Sequence, residues 1–226
     1  MALIPIRRPA RRNGEWVNPG LYEYKPFDDG FIGGALPSWL TVPTVAGQNT
    51  EGAVTSYGNF PGAKSFLKVQ CAARANAQAK LASAISFDTT VTEGCLWELD
   101  GLRFDSDSGI VAMGLAGSGG KGMFLQQTQT EDTAVLRWGA GAGVLPTKFK
   151  FRGGGYAFSV RNVRMYARFR DASVFVFIND QCVAHVENAA SFGQGTITPD
   201  ISITTTASAA QMSLSIARAR LRIFGA

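Results

Sequence analysis

The 226-residue chain has one histidine, three cysteines and few charges, with Asp, Glu, Lys and Arg together making 17% of it. Each scarcity excludes something. Any Ser–His–Asp or Cys–His site must use His185, and a zinc site with two histidines cannot be built. His185 lies in QCVAHVE, where a strand sets Gln181, Val183, His185 and Glu187 on one face, so a partly exposed sheet histidine is expected. Cys71, Cys95 and Cys182 are odd in number, far apart and outside any CxxC or Cys/His cluster. Neither a metal site nor a disulfide framework is expected of them. They read as small buried hydrophobes, with a single Cys95–Cys182 or Cys71–Cys182 bridge left open. No apolar run approaches the roughly 18 residues of a membrane-spanning helix. No apolar core follows the basic start MALIPIRRPARR, so no secretory signal is expected and the chain is expected to be made in a cytoplasm. No segment shows a convincing helical period.

What remains is rich in Gly (26 residues) and 46% hydrophobic, with Thr, Val and Phe scattered in alternation. That composition predicts an all-β globular protein, long enough to bury a core without metals or disulfides. The net charge of +5 suggests a nucleic-acid binder until the charges are located. Arg7, Arg8, Arg11 and Arg12 all lie at the N-terminus, and without them the body keeps only +1. No basic field steers the domain onto a polyanion, and a nucleic-acid partner is not expected. Residues 1–20 are expected to form an extended basic arm without a core of its own, and residues 21–226 the folded domain.

From Tyr22 onward the chain reads as short strands and turns. SFLKVQCAARA (65–75) alternates Leu67, Val69 and Cys71 against Phe66, Lys68 and Gln70, the pattern of a half-buried strand. In LWELDGLRF (96–104), Leu96, Glu98, Asp100 and Leu102 are expected on one face and Trp97 and Leu99 on the other. GIVAMGLAGSGGKGMFLQQTQ (109–129) predicts a hairpin. Further on, Val163, Met165, Ala167 and Phe169 line one face of a strand, and Arg164, Tyr166, Arg168 and Arg170 the other. SVFVFI is apolar on both faces, as a strand inside a sheet should be, and Asn179-Asp180 supplies a hairpin turn because both residues tolerate positive φ. Near the C-terminus the apolar parity of Met212, Leu214 and Ile216 passes to Leu221 and Ile223, which predicts a bulge near Ala217.

Several motifs come close to a known chemistry and fail on spacing. GLAGSGGKGM (114–123) has Leu115 where a phosphate loop requires its first glycine, and Gly122 where it requires Ser or Thr. Gly153-Gly154-Gly155 reads as a flexible turn. Asp105-Ser106-Asp107-Ser108-Gly109 offers oxygen donors, but its glycine comes one position too early for a helix–loop–helix calcium loop, so a solvated turn is expected. No cofactor or metal is expected.

Two segments, FDDGFIGGALPSW (27–39) and VRMYARFRDASVFVFINDQCVAHV (163–186), resemble segments of the concanavalin A-like lectin/glucanase domains, laminin-G-like modules included. With some ten short strands, the resemblance implies a two-sheet antiparallel β-sandwich of the jelly-roll type. It also implies glycan binding, glycan hydrolysis or a purely structural role. The glucanases of this fold carry an E-x-D-x-x-E strand motif, with one acid as nucleophile and one as general acid. Here Glu98 and Asp100 match, but Arg103 takes the last position, and an arginine cannot donate a proton near neutrality. A degenerate glycoside hydrolase is therefore the third reading, and no catalytic residue is expected.

A carbohydrate-binding module for a host surface glycan is the second reading. Arg164, Tyr166 and Arg168, joined by Arg170, form the candidate glycan or partner face, because cations along one strand repel unless acids or a partner answer them. The first reading is a non-enzymatic bacteriophage virion protein, decorating a capsid or attaching a tail or fibre. Its arm, with Arg7, Arg8, Arg11, Arg12 and Trp16, is expected to dock on other virion proteins, and the protein to form a homo-oligomer.

Overall fold

The computed structural model describes residues 11–12, 15–16, 24–29, 36–43, 66–104, 109–117, 122–127, 135–138, 141–143, 161–187, 195–206 and 212–225. Among these there is no helix, and every strand pairing is antiparallel. The strands are, in chain order, β1 (Arg11–Arg12), β2 (Glu15–Trp16), β3 (Tyr24–Asp29), β4 (Leu40–Thr41), β5 (Leu67–Gln70), β6 (Gln78–Ser83), β7 (Phe87–Asp88), β8 (Gly94–Phe104) and β9 (Ile110–Gly117). They continue as β10 (Gly122–Gln127), β11 (Val135–Trp138), β12 (Gly141–Gly143), β13 (Arg161–Arg168), β14 (Ser173–Ile178), β15 (Gln181–Val186), β16 (Thr196–Thr204), β17 (Ser213–Ile216) and β18 (Arg218–Phe224).

Two eight-stranded sheets form the sandwich. The first runs β12-β11-β10-β9-β16-β6-β4, with β7 also on β16. The second runs β15-β14-β13-β8-β17-β5, with β18 beside β8 and β3 beside β18. In the arm, β1 and β2 pair with each other, and the backbone of β2 approaches β15. The arm is therefore not extended throughout: part of it folds back on itself.

Alternation decides which side chains meet between the sheets. Trp97 and Leu99 of β8, Val163 and Met165 of β13 and Leu221 of β18 face Met113 and Leu115 of β9 and Ile201 and Ile203 of β16 in one continuous apolar core. All six residues of β14 are buried, as their double-sided apolar pattern predicts for a strand held between two others. Cys71 and Cys95 lie in this core, and all three cysteines are free thiols. Burial raises Cys71 to a pKa of about 11 and moves Cys95 further the same way, so both behave as small hydrophobes. Directional bonds also cross the core: the Trp97 indole Nε1 donates to the Asp200 carbonyl oxygen on the facing sheet, at 3.2 Å, and the Cys71 thiol donates to the Ile203 carbonyl oxygen at 3.4 Å. In that strand Pro199 sits between two paired neighbours, where its missing N–H removes a ladder bond.

Irregularities fall where backbone chemistry demands them. Asn179 and Asp180 both take positive φ, 46° and 70°, in the β14–β15 turn. The last strand breaks at Ala217, whose N–H donates to the Asp100 carbonyl. Opposite it, Gly101 has a φ of 64°, and a Cβ there would stand 2.5 Å from the Ala217 Cβ. This paired irregularity corrects one expectation. It switches the parity of β8, so Leu102 joins Trp97 and Leu99 in the core instead of sharing a face with Glu98 and Asp100. A second correction concerns β15. A register shift opposite Val176 and Phe177 inserts Val183 as an extra residue, so Val183 packs on the core while Cys182 and His185 lie on the outer side of the sheet.

Candidate functional site

The outer face of the second sheet carries a row of charge beside a row of aromatic rings. Register produces the first. Glu98 on β8 stands directly opposite Arg164 on β13 and Arg220 on β18, so a carboxylate is flanked by two guanidinium-bearing side chains. Arg220 Nη1 donates to Glu98 Oε1 at 2.8 Å, and its Nη2 lies 3.1 Å from Asp100 Oδ2. One fork thus spans both acids of the strand motif. Asn162 Nδ2 adds a bond to Glu98 Oε1 at 3.3 Å. Arg164 pairs through Nη2 with Asp180 on the hairpin turn and lies over the Phe177 ring, 5.4 Å from its centre.

The charges are largely withdrawn from water. Glu98 is 4% exposed and Arg164 5%, whereas Arg220 and Asp100 keep about a fifth and a quarter of their side chains accessible. Asp100 has a pKa above the ordinary aspartate range. Burial is the largest cause and the neighbouring Glu98 charge adds to it, while Arg220, Arg218 and Arg164 pull the other way.

One residue pair further along these strands the rings begin. Tyr166 stacks on Phe175 at 5.9 Å and meets Phe224 edge-on at 5.7 Å. Leu96 and Phe177 complete a buried apolar layer on what is topologically the outside of the sandwich. His185 lies flat on Phe175, ring centres 4.1 Å apart, and its Nε2 is 3.7 Å from the Glu187 carboxylate.

This geometry corrects the expected contact face of Arg164, Tyr166, Arg168 and Arg170. Tyr166 is only 2% exposed, because its ring is held between Phe175 and Phe224, so it offers no open surface for stacking. The repulsion that was to require a partner is answered within the chain: Asp180 takes Arg164, and Asp171 takes Arg168 at 2.6 Å. Arg170 alone of the four is exposed. Of the arm residues, Arg7 and Arg8 lie outside the described residues, as do the side chains of Arg11, Arg12 and Trp16. Asp105, Asp107, Lys121, Gly153, Gly154 and Gly155 are also outside them, and so is the side chain of Arg103, whose backbone pairs with Ser215. No group of His, Cys, Asp and Glu that could hold a metal occurs among the described residues.

Sequence reasoning missed Arg220 and Asp180. The signal for Arg220 was present, since Arg218, Arg220 and Arg222 share a parity opposite to the apolar one. It does not point to Glu98, however, until β8 and β18 are aligned.

No family model matches the chain, and no curated protein matches it significantly. Solved structures do. The cellulose-induced protein Cip1 superposes with a TM-score of 0.59 at 11% identity, over 88% of this chain and 97% of its own. The carbohydrate recognition domain of Emp47p gives 0.54 at 12%, over 88% and 94%. A variant of LamA from Z. galactanivorans in complex with laminaritriose and laminaritetraose gives 0.52 at 14%, over 87% and 97%. At these identities the likeness is one of fold, and the fold is the jelly roll of lectins and glucanases.

Proposed function

We propose that this domain binds carbohydrate without cleaving it, on the outer face of the second sheet. The observation that carries the reading is the position of Arg220 between Glu98 and Asp100. A hydrolytic pair needs one carboxyl free to donate a proton and another free to attack, with the sugar between them. Here a guanidinium, which gives up no proton near neutrality, occupies that place and ties both acids. The same ion-paired groups suit recognition, since carboxylates accept from hydroxyls and the guanidinium donates to ring and hydroxyl oxygens. Asp100 and Arg220, the most exposed members, are the contact points. The similar folds agree in kind, one being a carbohydrate recognition domain and another a complex with laminaritriose and laminaritetraose. The virion reading rests on the arm, whose side chains lie outside the described residues, and no comparison favours it.

A broad glycan array followed by calorimetry on the full chain tests the proposal. Binding should fall by about tenfold or more in Asp100→Ala, the loss expected when a hydrogen-bonding partner is removed from a desolvated site, with the melting temperature little changed. Silence across the array overturns it. So does turnover of a bound polysaccharide that disappears in Glu98→Gln, which restores the hydrolase reading.

A further inference from the structure

The polar row contains two buried atoms with nothing to bond. Arg164 Nε is a donor without an acceptor, and Asn162 Oδ1 an acceptor without a donor. Both are closed off from water, where an unmade hydrogen bond is costly. Their identities as donor and acceptor are secure on chemical grounds. An arginine Nε can only donate. The Asn162 amide is oriented by Glu98, whose carboxylate only accepts, so Nδ2 points to Glu98 and Oδ1 is left over.

Their placement is equally fixed. Asn162 falls in the register shift between β13 and β8, and its backbone is tied to the hairpin turn: its N–H donates to Asn179 Oδ1 at 3.1 Å, and its carbonyl accepts from the Asn179 N–H at 3.0 Å. Arg164 is held by Asp180 of the same turn and by the Phe177 ring.

We infer that these two atoms form a subsite for a secondary amide, the acetamido group of an N-acetylated sugar. This rests on the carbohydrate reading above and narrows it. Both side chains gather at Glu98, Asn162 through its bond and Arg164 through register. A trans amide presents its N–H and C=O in opposite directions, so one amide can meet a free acceptor and a free donor at once. The stoichiometry also selects it. A secondary amide brings one donor and one carbonyl acceptor, matching one free acceptor and one free donor. A pair of hydroxyls would bring surplus polar atoms into a site shut off from water and leave them unpaired. A sulfate or carboxylate would face Asn162 Oδ1 with a second acceptor. The Phe177 ring beside Arg164 gives the acetyl methyl an apolar wall. The Arg164–Asp180 pair is the element that shifts to admit the group, because Asp180 stands on the exposed turn, 81% accessible, while the sheet beneath is packed.

The test compares matched glycosides by calorimetry on the full chain: N-acetylglucosamine and N-acetylgalactosamine oligosaccharides against the glucose and galactose counterparts, which carry a hydroxyl in place of the acetamido group. The acetamido sugars should bind at least about tenfold more tightly, the discrimination expected of a site built to bond a particular polar group. Arg164→Lys keeps the charge and the reach to Asp180 but has no Nε, and should bring the ratio of acetamido-sugar to hydroxyl-sugar affinity close to one. Asn162→Ala should do the same, and it decides the matter if the lysine variant fails to fold. Glycan binding with no acetamido preference, or a preference that survives both variants, overturns the subsite and leaves the carbohydrate reading standing. No glycan binding at all overturns both. Selective binding of an N-acetylated peptide in place of the sugars assigns the amide to a protein ligand and overturns the proposal.

Discussion

The two outer faces of the sandwich each bury a carboxylate, and they do so differently. On the second sheet Glu98 is met by Arg220 and Asn162, and Arg220 connects onward to Asp100. On the first sheet Asp200 stands between Ala82 and Gly114, with Lys80 as its single ion-pair partner and Oδ1 unpaired. Glu98 belongs to a network in which Arg220 bridges two acids and Asn162 adds a third member. Asp200 belongs to an isolated pair among small residues, and burial raises its pKa, with Lys80 only partly offsetting the effect. A network of this kind keeps polar groups fixed and desolvated at the centre of a face, as a recognition site requires. An isolated pair fixes little beyond itself, and its removal should disturb little.

The contrast can be broken by mutation. Glu98→Ala should have the largest effect, about 3–5 kcal/mol by urea unfolding, because it removes the buried acid that both Arg220 and Asn162 bond and leaves their donors unanswered. A loss under about 1 kcal/mol would show that the network is no more than a surface ion pair. Trp97→Phe comes next, at about 2–3 kcal/mol, since it removes both the bond to Asp200 and buried volume. Gly101→Ala should cost about 1–2 kcal/mol, because it places a Cβ at positive φ and against Ala217. Smallest is Asp200→Asn, within about 1 kcal/mol of the parent at neutral pH.

That last variant also sharpens the contrast through pH. The folded-state pKa of Asp200 is raised above the ordinary 3.8, so its contribution to stability is complete below that value and is lost as pH rises through the folded pKa. The stability of the parent relative to Asp200→Asn should therefore increase as pH falls from neutrality toward about 4, measured by parallel thermal melts. Asp100 titrates in the same direction in both proteins and cancels from the difference. An opposite slope would mean that Lys80 outweighs burial and that the pair is a stabilising one.

Much of this architecture could be read from local pattern. The faces of β13, the two-sided β14, the Asn179–Asp180 turn and the break at Ala217 each follow from alternation or from the φ preference of a few neighbouring residues. The shared face of Glu98 and Asp100 is local in the same way. The partners of these residues are not. Arg220 lies 122 positions from Glu98, and which arginine meets it depends on how β8 and β18 align, which no window of either strand contains. Tyr166 shows the same limit. Its neighbours along β13 are polar enough to suggest an open face, but its surroundings are set by Phe175 across the sheet and Phe224 on another strand. Leu102 and Val183 were placed on the wrong side because one inserted residue inverts everything after it.

The Trp97 bond has a mechanical consequence. Apolar side chains resist being pulled apart far more than being slid past one another, so two sheets in purely hydrophobic contact are weakly defended against shear. A directional bond of 3.2 Å from the indole to a backbone oxygen on the facing sheet acts as a dowel through the joint. Its two ends lie next to Glu98 in the chain and at Asp200 itself, so the charged spots on opposite surfaces, separated by about two sheet layers, keep a constant lateral offset. A force applied to one face is thereby carried to the other.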